Sequence, residues 1–465
     1  MIESKLIELK NKMYAHTQSV CAKLEQNSFF VKKIDDIILF FIAMTLVVSI
    51  FAPSESIGAF AMIVVLLTII KMFVKSGSKI ALTWFDGAIF VYFVICFIST
   101  INSTLLPQSI HGFLKTVIYV FYYYSAANYF QSNNNKIRYI FVLVGILCGT
   151  EALIAVCQNF SGVEQISTWQ DSNYINPEDA IARAYGTLKP YNPNLLGGYL
   201  LAGIPYIIGT ASIYLLKKNY KVVCASLAVL LLCAMAVFLT GSRGAYLGLG
   251  AIVLGMIIIV TIIINTDFKT SVFLKTVWKR IMIAIAALFA FILIAVPKIT
   301  KRLLSIFILR GDSSTSFRMN VYHSSWQMFC DNWFLGIGAG NQTFREIYGL
   351  YMLTGYDALS TYSVPLEIAV ESGILGLSAF VAFICIFLFD SFKIIKTQNS
   401  TDGLVNKVVV SVATLTILGV LAHGMFDTIY FRPQVQFLFW TMIAMASSVF
   451  IKKDLIGDGN KDNEV

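Results

Sequence analysis

Long apolar runs constrain this chain more than any other feature. Between Ile37 and Ile451 they recur as stretches of about 17–22 nearly uncharged residues, each long enough to cross roughly 30 Å of hydrocarbon as a helix. In lipid a backbone must satisfy its own hydrogen bonds, so the runs are expected to be α-helical rather than irregular. The composition agrees: 57% of residues are hydrophobic, only 13% are charged, and the mean hydropathy is +0.74. Soluble domains carry roughly twice that share of charge. The fold class predicted is therefore all-α, a polytopic integral membrane protein with about twelve transmembrane helices and a large helical extracytoplasmic loop. The expected spans are 35–52, 57–74, 84–101, 110–130, 137–157, 195–216, 222–239, 244–264, 281–297, 364–390, 405–424 and 434–451.

Charge placement sets the expected orientation. With the N-terminus inside, the inside segments hold 24 of the 35 Lys and Arg residues, and the short inside loops are nearly all basic. Both termini are then cytoplasmic, and the net charge of +9 is a topology signal. It gives no reason to infer nucleic-acid binding. Three regions follow: a cytoplasmic N-terminal segment 1–33, a transmembrane domain 34–451 and a polar cytoplasmic tail 452–465. Residues 1–33 lack the apolar core and cleavage site of a signal peptide. Ile2, Leu6, Leu9, Met13, Val20 and Leu24 fit either an amphipathic surface helix or a loosely ordered tail. Eight cysteines form no CxxC or Cys/His cluster and four histidines are scattered, so neither a disulfide framework nor a metal site is indicated. No paired, Gly/Pro-broken helices mark an inverted-repeat transporter.

The candidate chemistry lies in two long extracytoplasmic loops, about 158–194 and 298–363, and one tight turn. The first loop carries Arg183-Ala184-Tyr185-Gly186 and then Asn192-Pro193-Asn194, turn residues that cap the next helix. The turn is Thr240-Gly241-Ser242-Arg243-Gly244. An arginine there either snorkels to the headgroups or faces a polar cavity. The flanking glycines, which permit close backbone approach, favour the cavity. The second loop contains helix-capping Ser314-Thr315-Ser316, a short amphipathic helix with Arg318 near its start, and Gly336-Ile337-Gly338-Ala339-Gly340-Asn341. That glycine run follows no strand and is weak as a phosphate-binding motif. Tyr348, Tyr351, Tyr356 and Tyr362 fit sugar stacking and an interfacial aromatic belt equally well. Glu367 and Glu371 share one helix face. They suit a helix dipole, or they face the same cavity as the arginines.

Together, Arg183-x-x-Gly186, Asn192-Pro193-Asn194, Gly241-Ser242-Arg243-Gly244, the glycine run ending at Asn341 and Leu366-x4-Glu371-x-Gly373-x2-Gly376 resemble the O-antigen ligase and polymerase superfamily (Wzy/WaaL type). The wording around Tyr348–Met352 and Ser363–Glu367 is most similar to its cyanobacterial IctB branch, named for bicarbonate transport. The resemblance implies a membrane glycosyltransferase. Such enzymes move a glycan from a polyprenyl-diphosphate carrier to an acceptor hydroxyl at the outer face of the plasma membrane. It carries over Arg183 and Arg243 as anion-binding catalytic residues, with Arg318 a third arginine and Glu367 a stand-in base. Asn194, Ser242, Asn341, Tyr362 and Glu371 are the substrate-binding candidates. Guanidinium forks bind a developing diphosphate charge bidentately, so no metal or other cofactor is needed. One departure is plain: ligases of the family carry a His-Asn pair where this chain has Tyr362-Ser363, and tyrosine is a poor base at neutral pH. His323 is a second candidate substitute if it folds back. The alternatives are a role in inorganic carbon accumulation, with bicarbonate as the anion, and a non-catalytic scaffold. Glu151, Asp390 and His423 read as isolated intramembrane polar residues, which weighs against transport.

Overall fold

The computed structural model describes residues 27–75, 81–161, 183–295, 313–397, 401–450 and 453–454, together with Ser19 and Lys23. Most of the N-terminal segment, read as an amphipathic helix or a loosely ordered tail, parts of both long loops and most of the C-terminal tail therefore lie outside the described residues.

Each expected span falls on a helix. In chain order these are α1 (Phe29–Val48), α2 (Ser54–Val74), α3 (Trp84–Ile101), α4 (Leu106–Ser132), α5 (Ile137–Phe160), α6 (Pro193–Leu216), α7 (Tyr220–Leu239), α8 (Arg243–Thr266) and α9 (Val272–Ala295). Two helices of the second loop follow, α10 (Ser313–Asp331) and α11 (Asn341–Tyr348). The remaining three are α12 (Val364–Lys396), α13 (Thr401–Gly424) and α14 (Pro433–Ser447). Among the described residues, eight helices are long and apolar enough to cross a membrane by length and composition: α2, α3, α5, α6, α7, α8, α12 and α13. Others fall short for visible reasons. Lys32, Lys33, Asp35 and Asp36 crowd the start of α1, tyrosines and polar residues dilute α4, and α14 has only 15 residues.

Helix starts follow local chemistry. Asn192 caps α6 by accepting from Asn194 N, with Pro193 at the first helical position, where its missing N–H costs nothing. Ser242 caps α8 by accepting from Ala245 N at 3.4 Å. Pro365 and Pro433 occupy the first turns of α12 and α14. These starts share one end of the bundle, the end bearing the two long loops. The core is built on α6 and α14, which are buried along most of their length. Around them α12 lies against α3, α13 against α8 and α6, and α14 against α4.

The far end is tied by ions. Lys407 Nζ lies 2.6 Å from Asp267 Oδ2, and both side chains are almost wholly buried, linking α13 to the end of α8. Removing one partner leaves an uncompensated buried charge, which costs roughly 3–5 kcal/mol.

One break interrupts the helical pattern. Inside α12, Gly373 has φ 66° and ψ −169°, a region open essentially to glycine alone. The helix's lost hydrogen bonds are replaced by the extended segment 333–340. Ile374 N donates to Trp333 O at 2.8 Å, Ile337 N to Val370 O at 2.9 Å, and Gly338 N to Glu371 O at 3.1 Å. Ser99 of α3 adds a bond from its hydroxyl to Glu371 O at 2.6 Å. A Cβ on Gly373 would strike the Phe334 carbonyl, and one on Gly336 would lie 2.5 Å from the Glu371 carbonyl carbon. The glycine run is thus a structural filler for a broken helix, which explains its spacing without a phosphate.

Two stability outcomes are expected. Gly373→Ala loses about 1–3 kcal/mol from backbone strain alone. Lys407→Met loses about 3–5 kcal/mol. Thermal unfolding of the purified protein followed by tryptophan fluorescence checks both, and a wild-type melting temperature for either removes the corresponding argument.

Candidate functional site

At the loop end, polar groups of α5 fix the last part of the first loop. Gln158 of α5 accepts from Gly186 N at 2.9 Å and donates to Gly186 O at 3.0 Å. Glu151, one to two turns deeper, accepts from Thr187 N at 2.9 Å and from the Thr187 hydroxyl. Gly186 has φ 67°, and a Cβ there would strike the Glu151 carboxylate. Glu151 is therefore a structural anchor with partners, not the isolated residue expected.

So held, Arg183 turns toward the bundle. Its Nε donates to Thr240 O at 2.8 Å, which ties it to the turn that carries Ser242 and Arg243. Its Nη2 donates to Asn194 Oδ1 at 2.9 Å. Asn194 in turn donates through Nδ2 to Asp427 Oδ2 at 2.7 Å. Arg318 Nη2 reaches the same carboxylate oxygen at 3.7 Å, and its guanidinium lies 5.7 Å from the centre of the Tyr362 ring. Two arginines from separate loops thus meet around one aspartate, through an asparagine at a helix start. Arg243, the first residue of α8, is half-buried three positions beyond the Thr240 carbonyl. Behind it Ser242 Oγ is 3.5 Å from His423 Nε2, and a Cβ on Gly244 would lie 2.6 Å from that ring. His423 is fully buried between α6, α8 and α13 and belongs to this cluster's wall.

Tyr362 adopts φ 54°, rare for a residue with a side chain, and its carbonyl accepts from the Tyr322 hydroxyl at 3.2 Å. Burial and the nearby Asp427 carboxylate push its phenol above the usual range, with Arg318 opposing. The phenol therefore stays protonated at neutral pH and can only donate or stack. His323 is exposed on α10 and contacts Gln327, so it lies away from the cluster.

A chamber of about 610 Å³ lies beside the arginines, walled by α2, α4, the start of α11, α12 and residues 428–440. Glu367, Glu371 and Asn341 line it. Glu367 accepts from Thr361 N at 2.7 Å and Glu371 from Gly340 N at 3.0 Å, so the segment inserted at the helix break holds the second acid at the wall. Asn341 holds the Leu359 carbonyl. Ser360 and Thr428 also line the chamber and bond each other at 2.7 Å; Thr428 directly follows Asp427. The expected site residues thus fall into three groups. Arg183, Asn194, Arg318 and Tyr362 gather around Asp427, Ser242 and Arg243 lie in the turn that Arg183 holds, and Glu367, Glu371 and Asn341 face the chamber.

Sequence reasoning missed Asp427, the residue on which the first group converges. It sits in the short connection after His423, 233 residues from Asn194, and no local pattern distinguishes it from an ordinary turn acid. Lys115 and Arg432, both on the chamber, were likewise unassigned.

Residues 228–381 match the family model described as O-antigen ligase. The matched stretch runs from α7 into α12 and includes Ser242, Arg243, Arg318, Asn341, Tyr362, Glu367 and Glu371. No curated protein matches the chain. With that stretch carried on helices fit to cross a membrane, the chain is a multi-pass membrane protein whose residues 228–381 are similar to O-antigen ligase.

Proposed function

We propose that this protein is a glycosyltransferase that moves a glycan from a polyprenyl-diphosphate carrier to an acceptor hydroxyl. In this reading the loop end faces the outside of the plasma membrane and both termini are cytoplasmic. The concentration of Lys and Arg in the opposite loops supports that orientation.

The observation that carries the reading is the meeting of Arg183, Asn194, Asp427 and Arg318 at the membrane end, next to Arg243. When the anomeric carbon–oxygen bond breaks, its electron pair leaves with the diphosphate. Arginines placed in advance stabilise that charge, most strongly where water is excluded. Asp427 keeps the guanidinium groups apart from one another's charge and oriented before the donor arrives. Its 3.7 Å contact with Arg318 is longer than a tight ion pair, so that arginine can turn to a diphosphate at low cost. The acceptor oxygen bonds to the anomeric carbon, and its proton passes to a base. Glu367 fills that role here: it lines the chamber and is held by the Thr361 amide. Tyr362, kept protonated, serves as a wall of the Arg318 site.

The chamber's size favours glycan over bicarbonate. Its 610 Å³ equals the liquid volume of roughly twenty water molecules, far more than a four-heavy-atom anion needs. It lies within the range of sites for sugar-sized or larger molecules.

Arg318→Ala and Arg183→Ala are each expected to lower transfer by about 10²–10³-fold, as loss of a charge-stabilising donor does elsewhere. Complementation of a deletion strain, read as surface polysaccharide on a gel, checks this; wild-type polysaccharide with either variant eliminates the enzyme reading. In liposomes the purified protein is expected not to move labelled bicarbonate. Saturable uptake that vanishes with Arg243→Ala would replace this reading by the carbon-accumulation one.

A further inference from the structure

The chamber carries more information than its size. Its charged lining residues divide by depth. Glu55, Lys115 and Arg432 occupy exposed positions at its rim, whereas Glu367 is 3% exposed and Glu371 is only partly exposed. A ligand that passes the rim therefore meets two acids, and Lys115 is the cation that faces Glu371 from the rim. Glu371 commits one oxygen to the Gly340 amide, and its second oxygen is left to accept from whatever fills the space. Glu367 stands one turn away on the same wall.

The other walls are apolar and aromatic. Gly58, Ala59 and Met62 of α2 give a smooth side, and a Cβ on Gly58 would touch only Ile118, at 3.6 Å. Tyr119, Tyr430 and Trp440 present rings. Gln436 adds an amide, fixed by the Trp440 indole N–H at 2.9 Å. Aromatic faces, two amides (Gln436 and Asn341) and two hydrogen-bond-accepting acids match a pyranose, which has an apolar C–H face and a rim of donor hydroxyls. They do not match a lipid chain, which would leave the second oxygen of Glu371 with nothing to accept from, a costly arrangement in a dry site. Nor do they match an acidic sugar, whose carboxylate would crowd a pair of acids that already cannot both carry charge in so poorly screened a space.

We propose that the chamber is the acceptor subsite, that it takes a neutral sugar, and that Glu367 and Glu371 exclude acidic ones. This rests on the transferase reading above for the word acceptor; the binding preference itself does not.

The test uses the full chain in lipid nanodiscs, titrated calorimetrically with maltotriose and with trigalacturonate, a neutral and an acidic sugar of equal length. Maltotriose is expected to bind at least about tenfold more tightly, the effect of one desolvated like-charge contact. Glu371→Gln keeps an oxygen for the Gly340 amide, and it should narrow that ratio by severalfold. Met62→Trp, which fills the α2 side, should abolish sugar binding while the melting temperature stays at wild type. Equal or tighter binding of trigalacturonate overturns the proposal, as does maltotriose binding that ignores Met62→Trp, or no maltotriose binding at all. A parallel titration with inorganic pyrophosphate, wild type against Arg318→Ala, reports on the transferase reading separately. Sugar discrimination without Arg318-dependent pyrophosphate binding would leave the chamber standing and remove the transferase.

Discussion

Backbone hydrogen bonding in hydrocarbon is the constraint on which this structure depends. A lipid-facing segment has no water to satisfy its amides, so the chain is helical wherever it crosses. The one described place where a crossing helix departs from that rule is Gly373 in α12, and there the chain supplies its own remedy. The segment 333–340 enters the gap and pairs with Val370, Glu371 and Ile374 across backbone atoms. Only glycines allow the two backbones to approach so closely. The inserted segment also holds Glu371 at the chamber, its carboxylate accepting from the Gly340 amide. A structural defect and a functional wall are therefore one feature.

The arginine cluster shows a different economy of charge. Three guanidinium groups near the end of a bundle would repel one another and hold water. Asp427 offsets part of that charge, and Asn194 relays the contact to Arg183. The result is a preorganised cationic site that leaves Arg318 only loosely committed. Such a site suits a ligand with more than one negative charge, which can bridge arginines from both loops. The neighbouring chamber has the opposite character at depth, carboxylates and aromatic rings, so the two spaces favour different chemical groups.

Much of the fold was legible in the sequence because membrane spans are encoded locally. Twelve apolar runs became helices, with differences at the ends: α4 begins at Leu106 rather than 110, and α12 runs to Lys396 rather than 390. The reading of Glu151 as isolated failed because its partner, Thr187, is 36 residues away in a loop. Asp427 escaped notice for the same reason on a larger scale. Arg183, Asn194 and Arg318 were picked out by motif, but the acid that gathers them has no motif around it and acquires its role only when three chain segments fold together. Likewise the sequence could show Glu367 and Glu371 on one helix face, yet only the packing of distant helices shows that they address a chamber that Arg183, Arg243 and Arg318 do not line.

The central claim is that these arginines hold a diphosphate. A structure of the full chain in lipid with a short polyprenyl diphosphate bound tests it most directly. The account places the phosphate oxygens within hydrogen-bond reach of Arg318 and of Arg183 or Arg243, with Asp427 drawn away from Arg318. Phosphates found instead at the rim residues Lys115 and Arg432, with the Arg318–Asp427 contact intact, would contradict it.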